Sequence, residues 1–177
     1  MNYKKLDWPS IPEDMIVDLM YYSKEAPIIG GRDAAFDSDK QAKYPVYSIL
    51  EVPKYFKDWV LSSLPDIDSS YIVGLQRFVG VPAIPIHVDS IRSFAYNNVL
   101  TTDNTITCFY DNNKNLIQHV KYDRNIWYYH NASIPHNITN LNTGFRLAAT
   151  IFKLDSSRLG EDYALSSEAM AFMKGMQ

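Results

Sequence analysis

The sequence predicts a mainly β domain, an antiparallel sandwich or barrel, with a helical layer at its N-terminal end. From about Ser70 onward, segments rich in β-branched and aromatic residues alternate with turn-forming clusters, at a spacing of roughly 8–12 residues that is typical of such folds. Residues 111–115 tolerate left-handed backbone and predict a hairpin turn between two of these segments. The predicted strands lie in SSYIVGLQRFVG, RSFAYNNVLT, TITCFYD, LIQHVKYD, NIWYYHNA and GFRLAATIFKL.

Two helices are predicted ahead of these strands. Residues 10–13 form a capping-box pattern with proline in the first turn, so we expect a helix from there to about Lys24. Its inward-facing residues are expected to be Ile16, Leu19 and Met20. A second helix is expected over residues 55–64, after Pro53, with Trp59 and Leu64 turned inward. Between the helices we expect a loop rich in glycine, at Gly30 and Gly31, and then a strand over residues 44–52.

These elements are expected to form one domain over residues 1–177, because no repeat or long linker divides the chain. Residues 1–69 would form the N-terminal layer, 70–155 the β core, and 156–177 a loop and helix. A net charge of −3 gives no electrostatic support for nucleic-acid binding, and no apolar run is long enough to span a membrane. The single cysteine, Cys108, and the absence of a secretory signal in the sequence favour a cytoplasmic setting.

Two of the four histidines have neighbours that indicate a metal site. His87 and Asp89 lie two residues apart in an apolar run, where unpartnered polar groups are costly to bury. His136 lies 49 residues further on, after a proline and before the last predicted strand. By contrast, we expect His119 to be exposed in mid-hairpin and His130 to be satisfied locally within an aromatic run.

Arg146 follows His136 by ten residues, inside a strand that is otherwise almost entirely apolar. A buried guanidinium needs an anionic partner, and the sequence has no acid between Asp123 and Asp155, so the anion is expected to be a ligand. Two imidazoles and one carboxylate on one face of a metal suit a non-haem Fe(II) oxygenase rather than a closed structural zinc site. An arginine at some distance suits the far end of a dicarboxylate cosubstrate.

The spaced set His87-x-Asp89, His136 and Arg146 resembles the 2-oxoglutarate/Fe(II)-dependent oxygenases, over less than half of the chain. Two stretches, HVDSIRSFAYNNVL and IPHNITNLNTGFRLAATIF, are similar to the aspartyl/asparaginyl β-hydroxylase-like branch, with matches at Arg92, Asn97 and Asn140. The resemblance implies a double-stranded β-helix (a cupin-like jelly roll) with the N-terminal helices packed on it. It also implies a hydroxylase in which His87, Asp89 and His136 hold Fe(II) as the catalytic metal.

In this family 2-oxoglutarate and O2 would be the cosubstrates, with Arg146 pairing the distal carboxylate of the keto acid. The substrate would be a protein or peptide side chain or a small metabolite. Many relatives carry Ser or Thr two residues after the arginine, where this chain has Ala148. Thr150, Tyr96 or Tyr128 is expected to supply the missing hydrogen bond.

Several alternatives remain open from the sequence alone. Arg92 either occupies its family place or pairs with Asp89 or Asp103 in a surface loop, and Asn97 either lines the cosubstrate pocket or satisfies backbone groups. Two alternatives to the oxygenase also remain for the whole domain: a cupin-like binding module without turnover, and a cupin enzyme that uses no keto acid. Arg146 argues against the second alternative, because a cupin enzyme without a keto acid has no need of it. The binding module would instead keep its ligand when Asp89 is replaced by alanine.

Overall fold

The computed structural model describes residues 1–32, 46–79, 84–89, 92–101, 104–139 and 145–155, which form two antiparallel β-sheets and two helices. In chain order the elements are β1 (Tyr3–Lys5), α1 (Glu13–Tyr22), β2 (Ile28–Arg32), β3 (Val46–Leu50), α2 (Lys54–Ser63), β4 (Ile72–Val79), β5 (Ile84–His87), β6 (Phe94–Val99), β7 (Ile106–Tyr110), β8 (Leu116–Val120), β9 (Trp127–Asn131), β10 (His136–Thr139) and β11 (Phe145–Phe152). Neither helix is long and apolar enough to cross a membrane.

The larger sheet has seven strands in the order β1-β9-β6-β11-β4-β3-β2, and the smaller has four in the order β5-β10-β7-β8. From β4 to β11 the chain alternates between the two sheets, except that β7 and β8 pair as a hairpin within the smaller one. This strand order is that of a jelly roll, the double-stranded β-helix that the family resemblance implied. The first three strands extend the larger sheet at both edges.

The two faces of the larger sheet differ in character. Its outer face packs against α1 and α2 through a core that includes Ile16, Leu19, Phe56 and Val60. On β11, alternate residues face opposite sides of the sheet, so Leu147, Ala149 and Ile151 belong to this outer core. The inner face, which looks towards the smaller sheet, instead carries several buried polar side chains. Among them are Asn97, Arg146 and Thr150.

The first helix begins differently from its prediction. The capping box is wrong, because Pro12 occupies the N-cap position without a side-chain cap and α1 starts at Glu13. The Glu13 carboxylate instead accepts hydrogen bonds from Arg124 at 2.9 and 2.6 Å, which ties α1 to the loop before β9. Asn125 in the same loop accepts a hydrogen bond from the Ile11 amide at 2.9 Å. Long-range contacts with this loop therefore fix the position of the helix start, without capping its backbone N–H groups.

The remaining predictions hold to within a few residues, with clear exceptions. Ile16 and Leu19 are buried, and the hairpin turn is confirmed with Lys114 in left-handed backbone at φ 65°. The loop predicted around Gly30 and Gly31 is wrong, because both belong to strand β2. β1 and β10 were not predicted at all. The expected C-terminal helix, Asn140, Asp103 and the start of the strand predicted over residues 44–52 lie outside the described residues.

Candidate metal centre

The pairing of β5 with β10 brings the two candidate imidazole ligands together. His87 is the last residue of β5, His136 is the first of β10, and the two are direct partners in the antiparallel register. Because paired residues in a sheet direct their side chains to the same face, the rings meet with centroids 4.4 Å apart. The register of this strand pair therefore brings together two histidines that lie 49 residues apart in the sequence.

Asp89 completes the cluster from the segment that follows β5. Its backbone N–H donates to the Ala132 carbonyl at 3.0 Å, which holds this segment against the turn between β9 and β10. One ligand atom from each of His87, Asp89 and His136 lies within 4.8 Å of the other two. The structure thus brings the predicted metal-ligating set to one place.

His136 presents a neutral nitrogen suited to a metal, beside the ring of His87. The Nδ1–H of His136 donates to the Ile134 carbonyl at 2.9 Å, which leaves Nε2 as the free lone pair. Burial, opposed by the charge of Asp89, lowers the pKa of His136 to about 4, so this imidazole is neutral near pH 7. His87 Nε2 lies 3.5 Å from Asp89 Oδ1, on the side where a shared cation would sit.

The second oxygen of Asp89 is engaged by Arg92. Arg92 Nε donates to Asp89 Oδ2 at 2.5 Å, and both side chains are largely shielded from solvent. Burial alone would raise the pKa of the Asp89 carboxyl, but the positive charge of Arg92 holds that pKa well below its usual range. Asp89 is therefore a carboxylate, as a metal ligand must be.

Arg92 itself is fixed on three sides. Its Nη1 donates to Thr150 Oγ1 at 3.3 Å, and its guanidinium lies 4.9 Å from the centre of the Phe152 ring. The predicted pairing with Asp89 is confirmed, but the surface setting is wrong, since Arg92 is only 6% exposed. The hydroxyl of Thr150, expected to contact the cosubstrate, is the acceptor for Arg92.

Arg146 lies on the same face of β11 as Thr150, four residues earlier, and is 5% exposed. Its Nε donates to the Thr105 hydroxyl at 3.2 Å, and its guanidinium lies 5.1 Å from the centre of the Phe78 ring. Phe78 in turn packs against Ile84 of β5. The predicted cosubstrate arginine is thus inside the barrel, between the sheets.

A line of polar and aromatic groups connects the metal cluster with the neighbourhood of Arg146. The ring of His130 lies edge-on to that of His136, with centroids 4.6 Å apart, and its Nδ1 is 3.0 Å from the Tyr122 hydroxyl. Burial raises the pKa of Tyr122, and the charge of Arg146 acts against that rise. His130 is satisfied locally, as expected. Sequence reasoning missed Tyr122 and Thr105, since neither lies in a recognisable motif.

Two neighbouring residues of β6, both predicted to contact the cosubstrate, point in opposite directions. Asn97 pairs with Thr150 in the register, faces the interior and is 8% exposed. Tyr96 faces the outer core, where its ring lies 4.7 Å from that of Trp8. Strand alternation therefore places Tyr96 among the packing residues of the outer core, on the opposite face of β6 from Asn97.

The other positions considered for the cosubstrate are also placed by the structure. Ala148 lies in a buried apolar cluster with Tyr128, and the Tyr128 hydroxyl donates to Asp123 Oδ2 at 2.9 Å. The Tyr128 hydroxyl is therefore directed to an exposed carboxylate at the protein surface. His119 is exposed on β8, as predicted, and plays no part in the cluster.

The residues present fit a mononuclear iron centre. Two imidazole nitrogens and one carboxylate oxygen are the donor set of mononuclear non-haem iron(II) sites, and they leave coordination positions open for a cosubstrate. Among the described residues, Asn97 Oδ1 is buried without a hydrogen-bond partner. Rotating this amide by half a turn presents its N–H donors instead, which suit a bound carboxylate.

Two solved structures share the fold over most of their length. An oxidoreductase of the 2OG-Fe(II) oxygenase family from Burkholderia pseudomallei superposes with a TM-score of 0.54 at 8% identity, covering 85% of this chain and 84% of its own. A prolyl-4-hydroxylase from Pseudomonas putida gives 0.53 at 11% identity, covering 87% and 93%. No protein-family model and no curated protein matches the sequence.

At such identities the likeness is one of fold. The fold and the cluster together define a class: a jelly-roll domain with a candidate two-histidine, one-carboxylate metal centre between its sheets.

Proposed function

We propose that this protein is a non-haem Fe(II), 2-oxoglutarate-dependent oxygenase that hydroxylates a protein side chain or a small metabolite. The observation that carries the proposal is the cluster of His87, Asp89 and His136, whose ligand atoms lie within 4.8 Å of one another. A buried arginine on the facing sheet supports the cosubstrate part of the proposal. The same fold in two structures named as a 2OG-Fe(II) oxygenase and a prolyl-4-hydroxylase is in keeping with it.

The three ligands would make different contributions to metal binding. Asp89 supplies the negative charge, and the two imidazoles supply nitrogen donors whose orientation the strand pairing fixes. The Ile134 carbonyl, by accepting the Nδ1–H of His136, sets the tautomer of that ligand. Three protein ligands on one side leave room for a chelating keto acid and O2 on the other.

Arg146 would bind the distal carboxylate of 2-oxoglutarate. Its Nε is oriented by Thr105, and its plane is steadied by the Phe78 ring, so the guanidinium is held in place before the ligand arrives. Asn97, whose buried amide oxygen has no partner among the described residues, would add a hydrogen bond to the same ligand. The buried setting keeps water from these contacts and strengthens them.

When bound, Fe(II) and 2-oxoglutarate supply the oxidising chemistry: one O2 and the keto acid yield succinate, CO2 and a hydroxylated substrate carbon. The protein binds and orients the reactants and keeps the interior dry. The aspartyl/asparaginyl β-hydroxylase-like assignment is part of the proposal and rests on the motif around Arg92 and Asn97. The cytoplasmic setting is also part of the proposal, and it rests on the single cysteine.

Anaerobic addition of Fe(II) and then 2-oxoglutarate to the purified protein tests the proposal. A chelated keto acid gives a visible charge-transfer band, which we expect in the wild type and not in Arg146→Ala at the same cosubstrate concentration. The matched control is Arg124→Ala, since Arg124 pairs with Glu13 at the protein surface. Succinate release in the presence of candidate side-chain and metabolite substrates would then identify the reaction.

The outcomes separate the competing functions. A band in the wild type that persists in Arg146→Ala would place the keto-acid carboxylate elsewhere. Metal binding without any band would favour a cupin enzyme that uses no keto acid. Absence of metal binding would reduce the domain to a binding module and overturn the proposal.

A further inference from the structure

The strongest unexplained feature near the candidate metal centre is a second buried arginine. Arg92 lies three residues after Asp89 and is 6% exposed, although neither the ligand set nor the keto-acid contact uses it. Burying a guanidinium is expensive unless its geometry serves several partners at once. Its contacts with Asp89, Thr150 and Phe152 are therefore expected to have a function.

The two oxygens of Asp89 are divided between different neighbours. Oδ1 lies 3.5 Å from His87 Nε2, on the side of the candidate metal, whereas Oδ2 lies 2.5 Å from Arg92 Nε. A carboxylate whose second oxygen is held by a charged donor presents one oxygen to a cation instead of two. The backbone of Asp89 is fixed as well, by its hydrogen bond to the Ala132 carbonyl at 3.0 Å.

Arg92 is held by the opposite sheet. Thr150 Oγ1, in the middle of β11, accepts a hydrogen bond from Nη1 at 3.3 Å, and the Phe152 ring lies against the guanidinium at 4.9 Å. Both residues project from the same face of one strand, so their positions are set by β11, which pairs with β4 on one side and β6 on the other. Asp89, in a segment outside the strands, thereby gains a rigid support.

We propose that Arg92 is a positioning residue that locks Asp89 as a one-oxygen metal ligand, and that Thr150 serves this lock through its hydrogen bond to Arg92. This inference rests on the metal binding proposed above. It goes beyond that proposal because it assigns a role to two residues that touch neither the metal nor the keto acid. It also replaces the cosubstrate role predicted for Thr150.

Titration with Co(II) alone, followed by its d–d absorption, tests the lock without turnover. Partners that orient a metal ligand typically contribute 10–100-fold in affinity, so we expect Arg92→Met to weaken Co(II) binding by about that factor. Its spectrum should also lose intensity, because a released Asp89 can use both oxygens and raise the coordination number. A purely structural role would lower the melting temperature without changing the spectrum of bound Co(II).

Graded variants keep the test decisive even if Arg92→Met does not fold. Arg92→Lys keeps the charge but cannot reach Asp89 and Thr150 with one planar fork, so an intermediate shift is expected. Thr150→Val, which removes only the acceptor, should weaken Co(II) binding by about five-fold, the usual worth of one hydrogen bond. Thr150→Ser should restore the wild-type value.

Arg124→Met is the matched control, because it removes another arginine that is paired with a carboxylate, at a distance from the centre. If wild-type protein binds Co(II) and the Arg92 and Thr150 variants match it in affinity and spectrum, the lock is overturned while the proposed function stands. If wild-type protein does not bind Co(II), both are overturned.

Discussion

Among the described residues, Arg92 and Arg146 are the arginines buried in the barrel, and they are alike in setting and different in partner. Both project into the space between the sheets, both are 5–6% exposed, and each lies over a phenylalanine ring at about 5 Å. Arg92 donates to a carboxylate of the protein itself, whereas the described hydrogen bond of Arg146 goes to the neutral hydroxyl of Thr105. The described hydrogen bonds of the two arginines thus include a charged acceptor for Arg92 and a neutral hydroxyl for Arg146.

This difference indicates two tasks for one residue type. The charge of Arg92 is matched by Asp89, so it contributes to the geometry of the candidate metal centre. Arg146 sits further along β11, next to the polar groups around Tyr122, where a dicarboxylate cosubstrate would reach from the metal. The account therefore predicts separable effects, on the metal for one arginine and on the keto acid for the other.

The largest effect is expected from removing a metal ligand. Without the metal centre, the tasks assigned to Arg92 and Arg146 can no longer be compared. His136→Ala should abolish measurable Fe(II) binding in anaerobic calorimetry, because His136 contributes one of the three donors. His119→Ala is the matched control, since His119 is exposed on β8. Equal Fe(II) affinity in the two variants would contradict the assignment of the centre.

Two double-mutant cycles in the metal-free protein should sharpen the comparison. Asp89 and Arg92 are buried and oppositely charged, so we expect Arg92→Met alone to lower the free energy of unfolding by about 3 kcal/mol. Their coupling energy, from Asp89→Ala, Arg92→Met and the double variant, should reach about 2 kcal/mol. The Thr105→Val and Arg146→Met cycle should give about 1 kcal/mol, typical of one hydrogen bond to a neutral group.

Urea-induced unfolding of the seven proteins, the wild type, four single variants and two double variants, measures both couplings. The discriminating quantity is the difference between the two cycles and not either value alone. Equal coupling energies would mean that the Asp89 carboxylate stabilises Arg92 no more than the Thr105 hydroxyl stabilises Arg146. The different tasks assigned to the two arginines would then lose their physical basis.

The smallest effect compares two adjacent residues of β6. Asn97→Ala should weaken 2-oxoglutarate binding by about five-fold, since it removes one buried hydrogen-bonding group from the inner face. Tyr96→Phe should leave that affinity unchanged, because Tyr96 faces the outer core against Trp8. Titration of the charge-transfer band against 2-oxoglutarate concentration measures both. A larger loss for Tyr96→Phe than for Asn97→Ala would reverse the assignment of the two faces.

The strands of the jelly roll were largely predictable, because period-two patterns and turn clusters are local features of the sequence. The hairpin at residues 111–115 illustrates this, since its own polar side chains stabilise the turn. β1 and β10 escaped prediction because they are short and gain their place by pairing with distant strands. The capping-box prediction was wrong for a related reason: the Glu13 carboxylate binds Arg124, which lies 111 residues away in the sequence.

The same distinction holds within the candidate site. His87, Asp89, His136 and Arg146 could be proposed because their spacing is a family motif, and the structure brings the first three together. The burial of Arg92 and the position of Tyr122 depend on how the two sheets face each other, which no local pattern encodes. The opposite directions of Tyr96 and Asn97 follow from strand alternation, once the inner face of β6 is known.

The central claim is that the side chains of residues 87, 89 and 136 share one cation, and diffraction from a crystal soaked anaerobically with Fe(II) tests it most directly. The account predicts a single anomalous iron peak within about 2.3 Å of one nitrogen from each of His87 and His136 and of Oδ1 of Asp89, with Oδ2 still on Arg92. A peak that contacts fewer than these three side chains, or iron bound elsewhere in the chain, would contradict it.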